Sequence, residues 1–312
     1  MKAEQKRKIF DVSVIIVIAL ILTAYSLAMI LPLVWGFLTS LKSSMDFSTL
    51  GNVLGFPDTQ FSEKELLFEN YKVIWENFQF DKSVSFYAGE TLVWHRSKNN
   101  FLGMLINTLL YAGVGSMIQA FVPAVMAYLV VKYPGKASSF INAMMLFVLT
   151  LPILGSASTM LRLMRDLNLY DNFIGNFIQK FNFTGMYFFV FQSFFRSVSD
   201  SYAEAAEIDG ASQLRVMFSI YMPLAWKMIS TVILILFVNC WNDYQTPLMY
   251  LPTKPTLAYG VYYLVYENNQ PHMATLPIKI SACMLLALPI LVIFLFLKEK
   301  LMGNISLGGV KE

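Results

Sequence analysis

The chain has 312 residues, of which 56% are hydrophobic and only 14% charged, and its net charge is +3. Soluble domains carry about a quarter charged residues, so a water-soluble globule is excluded and a bilayer is the natural solvent. The small net charge, with no long basic run, excludes a nucleic-acid partner. Cys240 and Cys283 sit in apolar stretches, and His95 and His272 lack a metal-ligand spacing, so neither a disulfide nor a metal site is expected.

A membrane-spanning helix needs about 20 apolar residues, because the hydrocarbon core is about 30 Å thick and a helix rises about 1.5 Å per residue. Residues 1–11 form a basic tail with Lys2, Lys6, Arg7 and Lys8. Residues 12–41 run without one charge and predict the first transmembrane helix; the run is too long for a signal-peptide core and has no convincing small-residue cleavage site. Residues 42–100 form a long loop carrying Glu63, Glu65, Glu69, Glu76, Asp81 and Glu90. Within it, Leu67, Tyr71 and Ile74 stand at helical spacing and predict a short helix over 64–78, and the weak alternation of 83–94 predicts a small hairpin around Gly89. Five more spans follow, over 101–131, 138–161, 173–195, 224–250 and 278–297, so that 101–297 is a five-helix core. Lys180 interrupts the fourth span and is expected to snorkel outward. Residues 298–312 are a second basic tail.

Both tails and the turn with Lys132 and Lys136 fall on one side if there are six spans, and the positive-inside rule makes that side the cytoplasm. Residues 196–223 then face the cytoplasm, and 42–100 lie outside. The expected fold is all-α and polytopic, in a cell membrane, with both termini cytoplasmic.

The cytoplasmic stretch 201–223 reads SYAEAAEIDGASQLRVMFSIYMP. Helix formers fill 202–208, Gly210 breaks the run and permits a positive φ, and Asp209 is expected to cap or order that turn. A second helix is predicted to begin near Ala211 or Ser212 and to end before Pro223, with Leu214, Phe218 and Tyr221 on one apolar face. Such an element suits docking into a groove of a soluble partner; an ordinary interfacial loop is the other reading.

The residues Glu204-Ala205-Ala206, three more, Gly210, nine more, then Ile220-x-Met222-Pro223 resemble the EAA loop of binding-protein-dependent ABC importer permeases, with Met222 in place of the pattern's leucine. The fuller run through Asp209, Gly210, Ala211 and Ser212 is similar to the carbohydrate branch, although Ser199 stands where that branch usually has proline. Asn107-Thr108-Leu109, Ala127-Tyr128, Trp241-Asn242-Asp243 and Gly308-Gly309-Val310-Lys311 resemble the same branch, and the likeness extends to the maltose-type partner subunit with six spans and a short tail. Residues 79–100 depart from the compact pattern and enlarge the first outer loop.

This resemblance implies a type I ABC importer permease in a prokaryotic cell membrane. Its partners would be a second permease subunit, two ATPase subunits and an extracytoplasmic binding protein that delivers a sugar. Glu204 would meet a basic residue of the ATPase, in whose cleft the loop sits. ATP and Mg would be used by those partners: this chain has no P-loop and no nucleophile elbow, so neither a bound cofactor nor enzyme activity is expected.

Asn239, Asn242, Asp243 and Thr246 are spaced to share one helical face. They read either as a pathway wall or as hydrogen bonds between helices. Tyr259, Tyr262, Tyr263 and Tyr266 read as a belt at the membrane surface, or, by the resemblance, as a loop entering the binding protein. A permease for a non-sugar solute is the alternative within transport; a scaffold or membrane enzyme is the alternative outside it.

Overall fold

The computed structural model describes residues 2–49, 51–58, 68–88, 91–151, 155–268 and 270–305. The regular elements of the described chain are helices apart from one two-stranded hairpin. It divides into two compact units, Met1–Asn77 with Glu267–Ala287, and Phe78–Tyr266 with Leu288–Glu312. Among the described residues four helical stretches are long and apolar enough to cross a membrane: Val12–Ser40, Phe101–Lys132, Gln213–Asn242 and Leu276–Phe296.

In the first unit, α1 (Lys2–Ser40) exposes every side chain from 12 to 34. Valine, isoleucine and leucine dominate that run, and a bilayer or another subunit is what can cover them. The last turn of α1 is anchored. The Ser281 hydroxyl donates to the Ser40 carbonyl at 3.0 Å, and Asn70 Nδ2 donates to the carbonyls of Ser40 and Lys42, each at 2.8 Å. Asn70 lies on α2 (Glu69–Asn77), the described part of the helix read over 64–78; Leu67 lies outside the described residues. Buried Lys42 donates to the carbonyls of Asn52 at 2.6 Å and Val53 at 3.2 Å, and burial lowers its pKa against the opposing pull of Asp46.

The second unit opens with the expected hairpin, which is longer than the alternation suggested. Strands β1 (Gln79–Ala88) and β2 (Thr91–Asn100) pair antiparallel from Gln79↔Asn100 to Ala88↔Thr91. Phe80 and Phe86 point inward, while Tyr87 and Trp94 are exposed on the other face. The Asn100 side chain then accepts from Gly103 N at 2.9 Å and starts α3 (Phe101–Lys132).

Helix α3 is the centre of this unit because one of its faces is small. Ala112, Gly115, Ala120, Ala124 and Ala127 recur at three- to five-residue steps and are all buried. Small side chains let neighbouring backbones approach closely, which is how helices associate where no water drives them together. Phe188, Phe191 and Phe195 of α7 (Met186–Ser197) and Ile229, Val232 and Leu236 of α10 (Met222–Asn242) fill the space around that face.

Two expected spans are broken. Over 138–161 the chain forms α4 (Lys136–Thr150) and α5 (Ser156–Asp166). Gly155 precedes α5 at φ 78°, and Pro152 lies at the break, outside the described residues. Over 173–195 it forms α6 (Phe173–Lys180) and α7, separated by a non-helical stretch at 181–185. There the Asn182 side-chain oxygen accepts from Thr184 N at 2.9 Å and Thr184 Oγ1 at 2.7 Å, a local bond that competes with the helical ladder. Gly185 follows at φ 132°. The expected span over 224–250 is also interrupted, as α10 stops at Asn242 and α11 (Gln245–Tyr250) restarts after two residues.

Candidate functional site

The 201–223 loop begins with α8 (Ser201–Ile208). Ala203 and Ala206, three residues apart, turn toward the core around α3, whereas Glu204, Ala205 and Ile208 are exposed. Small residues on the inner side let so short a helix sit close on the bundle. The helix closes with two specific bonds: Gly210 N donates to Glu207 O at 3.0 Å, and Ala211 N donates to Ala206 O at 2.9 Å. This is a Schellman turn, whose left-handed position falls on Gly210 at φ 79°. The glycine therefore stands where it must, four residues after the second alanine of the pair.

Asp209 contributes backbone, not a side-chain cap. Its N–H donates to Ala205 O at 3.2 Å, and its exposed carboxylate makes no hydrogen bond among the described residues. Capping of the next helix, α9 (Gln213–Val216), falls to Ser212, whose hydroxyl accepts from Arg215 N at 3.4 Å. Nor does the helix end before Pro223. It passes through a π turn (Met217–Tyr221) directly into α10. Proline lacks the N–H and its ring crowds the carbonyl four residues back, and a widened turn relieves both. The extra residue in that turn also rotates the face: Leu214 and Phe218 are exposed, but Tyr221 is buried. Ile220 packs against the core. Tyr202, Ile208, Leu214 and Phe218 are thus exposed apolar side chains of this loop, and Glu204, Glu207 and Asp209 are its exposed acids.

The four polar residues of 239–246 do not share one face. Because α10 ends at Asn242, Asp243 leaves the helix with extended backbone. Asn239 and Asn242 are exposed, whereas Asp243 and Thr246 are half-buried. Asp243 accepts from the Tyr111 hydroxyl at 2.6 Å and from Thr246 N at 3.0 Å. Lys180 does not snorkel outward. Its ammonium lies 4.4 Å from the centroid of the Tyr111 ring and 3.6 Å from Cys240 Sγ, and its stem runs along Gly115. The negative face of an aromatic ring attracts a cation, and here that attraction is available inside the bundle.

The four tyrosines also separate. They lie on α12 (Leu257–Tyr266), not in a loop. Tyr259 is fully buried, edge-on to Phe80 with ring centroids 5.0 Å apart. Tyr263 packs on Phe80 at 4.7 Å and donates to Asp81 O at 3.3 Å. Tyr262 stacks on Tyr244 at 4.8 Å, and Tyr266 is 74% exposed. The belt or docking reading therefore fails for Tyr259, whose ring is part of the core.

Residues 84–302 match the family described as the binding-protein-dependent transport system inner membrane component. The chain belongs to that family. The melibiose/raffinose/stachyose import permease protein of Bacillus subtilis is 28% identical over 225 residues, covering 70% of this chain and 78% of its own. The arabinooligosaccharides transport system permease protein of the same organism is 24% identical and covers 75% and 82%. The sn-glycerol-3-phosphate transport system permease protein of Yersinia pestis is 25% identical and covers 65% and 74%. A subunit in the crystal structure of a bacterial ABC transporter involved in import of the acidic polysaccharide alginate shares the fold, with a TM-score of 0.71 at 21% identity over 91% of this chain and 95% of that one. This permease is thus a membrane transport component of multi-pass, largely helical build.

Two features of the permease were not read from its sequence. Lys132, counted there only as a cytoplasmic charge, donates to Asp200 Oδ1 at 2.6 Å and Val198 O at 2.9 Å and lies 4.7 Å from the Tyr221 ring centroid. It ties the end of α3 to both ends of the 201–223 loop. Tyr133 extends the brace, donating to Gln213 Oε1 at 2.5 Å, while Gln213 donates to Glu207 at 2.6 Å. The second feature is Asp171, fully buried at φ 56°. It holds His95 Nδ1 of the hairpin at 2.6 Å and accepts from Thr253 N at 3.0 Å and Thr253 Oγ1 at 2.5 Å. An Asp that tolerates the left-handed region was the only hint of this junction in the sequence.

Proposed function

We propose that this permease is one of two subunits forming the pathway of an ATP-driven importer for a sugar or oligosaccharide. An extracytoplasmic binding protein delivers the solute, and two ATPase subunits, using ATP and Mg, power the cycle from the cytoplasmic side of a prokaryotic cell membrane. Six membrane crossings with both termini inside fit the basic tails, the four long helices and the paired short helices α4/α5 and α6/α7 as the remaining two. The observation that carries the reading is that Tyr202, Ile208, Leu214 and Phe218 are all exposed on one loop with a glycine turn, which Lys132 and Tyr133 tie to the bundle. Large apolar side chains held outward on an element tied to the bundle suit docking against a partner. Seated in a cleft of the ATPase, α8 would convert closure of that partner into rigid-body movement of the pathway.

The saccharide class is supported by the relatives that import melibiose, raffinose and arabinooligosaccharides. The glycerol-3-phosphate relative favours a phosphorylated small solute as the second reading. Asn239 and Asn242, exposed on α10, are proposed to face the pathway or the second permease, and Tyr266 is proposed to meet the binding protein. The test is uptake of labelled raffinose, arabinotriose and glycerol 3-phosphate by cells with and without this gene. Loss of saccharide uptake alone supports the first reading. Loss of glycerol 3-phosphate uptake alone overturns it in favour of the second.

A further inference from the structure

Between α3, α10 and the non-helical stretch at 181–185 lies a cavity of about 460 Å³. Small-molecule sites run from roughly 300 to 1,000 Å³. Gln119, Gln179, Lys180, Asn182, Thr184 and Thr246 supply its polar wall. Gln119 stands midway along α3, at a depth where lipid offers no hydrogen bonds. Polar groups at such depth face protein or a water-filled path.

The charges here are arranged in a particular way. Among the described residues Lys180 is the one charged residue of the lining, and no carboxylate comes within 4.0 Å of its ammonium. Its counter-charge is one side chain removed: the ammonium faces the Tyr111 ring, and the Tyr111 hydroxyl donates to Asp243. Ammonium, ring and carboxylate together carry no net charge, yet Lys180 still presents donors to the cavity. The Asn182 oxygen is taken by Thr184, while its amide N–H groups make no hydrogen bond among the described residues. The wall therefore offers ammonium, amide and hydroxyl hydrogen bonds around a neutral cluster. Hydroxyl-rich neutral solutes match that surface; a polyanion would feel Asp243 behind the single cation.

We propose that this cavity is a solute-contact site carried by this subunit itself, that it takes a neutral, hydroxyl-rich saccharide, and that Lys180, balanced by Asp243 through Tyr111, discriminates neutral from acidic solutes. The proposal rests on the importer reading above and adds the preference for neutral over acidic saccharides and the residues that set it.

The test uses the whole transporter purified from its host, carrying Cys283→Ala and Asn182→Cys in this subunit, with the Asn182-containing parent as background. The rate of labelling by a small cationic methanethiosulfonate is measured with raffinose, maltotriose, cellotriose or trigalacturonate present. A neutral trisaccharide is expected to slow labelling several-fold and trigalacturonate to leave it unchanged. Lys180→Gln should abolish the protection, and Asp243→Asn, which leaves the cation unbalanced, should make trigalacturonate protective. Absence of labelling, or no protection by any neutral trisaccharide in a complex that imports one of them, overturns the site while the importer reading stands. Stronger protection by trigalacturonate in the charge-intact complex overturns the neutral class. A complex that imports no saccharide at all removes the importer reading and the proposal with it.

Discussion

Lys132, in the last turn of α3, donates to Asp200 at the start of α8, and the pair is asymmetric: the lysine side chain is 10% exposed and the aspartate 74%. Such a pair contributes little to stability, about 0–1 kcal/mol, because the carboxylate is well solvated without it. Its consequence is positional, since the same ammonium also holds Val198 O and lies against Tyr221. Lys132→Met is expected to leave membrane insertion and yield unchanged and to lower uptake, with Lys132→Arg restoring most of it. Uptake normalised to complex abundance checks this, and an unimpaired methionine variant would show that the brace has no part in transport.

Gly210 isolates a backbone effect. A Cβ added there meets nothing within 4 Å, so a substitution suffers from φ 79° and not from a clash. The left-handed region costs an L-residue roughly 1–2 kcal/mol, less for asparagine and more for a β-branched side chain. Gly210→Val should therefore abolish uptake at normal membrane levels, while Gly210→Asn retains a substantial part. Equal activity of the two variants would mean that the turn geometry is not what transport requires.

Tyr259 and Tyr266 should behave oppositely although both lie on α12. Removing a buried aromatic ring costs about 3–5 kcal/mol, so Tyr259→Ala should lower the amount of folded complex and its thermal midpoint. Tyr266→Ala should leave both unchanged and reduce only the stimulation of ATP hydrolysis by solute-loaded binding protein. Fluorescence-detected size exclusion with heating separates the two effects; a destabilised Tyr266 variant would contradict its exposure.

The contrast between these tyrosines shows where sequence reasoning reaches and where it stops. Composition and the Glu204-to-Pro223 spacing lead directly to a membrane permease, because both depend on local chemistry. The Gly210 turn is legible for the same reason, as a single residue decides it. The side-chain facing of 239–246 was not, since the assumption of one continuous helix fails at Asp243, where a tertiary bond from Tyr111 holds the carboxylate. Likewise Tyr221 leaves the face of Leu214 and Phe218 because a π turn adds one residue to the count. Lys180 looked like a surface charge because the ring that receives it is 69 positions earlier in the chain, Tyr111. Averaged hydropathy over 173–195 hid the break that Asn182 and Gly185 make.

Asp171 is expected to latch the hairpin to the chain around Thr253. Asp171→Asn keeps a residue that tolerates φ 56° and keeps an acceptor for Thr253, but removes the charge facing His95. Hydrogen bonds to a charged group contribute about 1.5–3 kcal/mol, enough to raise the open population of the hairpin more than tenfold. Limited proteolysis of the purified complex should then cut within 79–100 sooner than in the parent, with His95→Ala giving a similar pattern. Unchanged cleavage in both variants would dismiss the latch.

Glu204 offers the sharpest view of the partner, because its side chain is exposed on α8. Its carboxylate is exposed and has no hydrogen bond among the described residues, so substituting it should leave the fold of the chain intact. Glu207, one turn along α8, is the internal control, as its carboxylate is already engaged by Gln213 at 2.6 Å. If Glu204 enters the ATPase cleft and pairs with a buried basic residue, removing its charge strands that partner at a cost of roughly 3–5 kcal/mol. If the pair lies at the rim, the loss is at most about 1 kcal/mol. Glu204→Gln distinguishes the cases by how much ATPase is retained on purification, and Glu204→Lys adds like-charge repulsion to either. We expect Glu204→Lys to release most of the ATPase, Glu204→Gln to release less, and Glu207→Gln to retain it, with all three inserted in the membrane at parental levels. Full ATPase retention and full uptake in Glu204→Lys would remove the 201–223 loop as the coupling element.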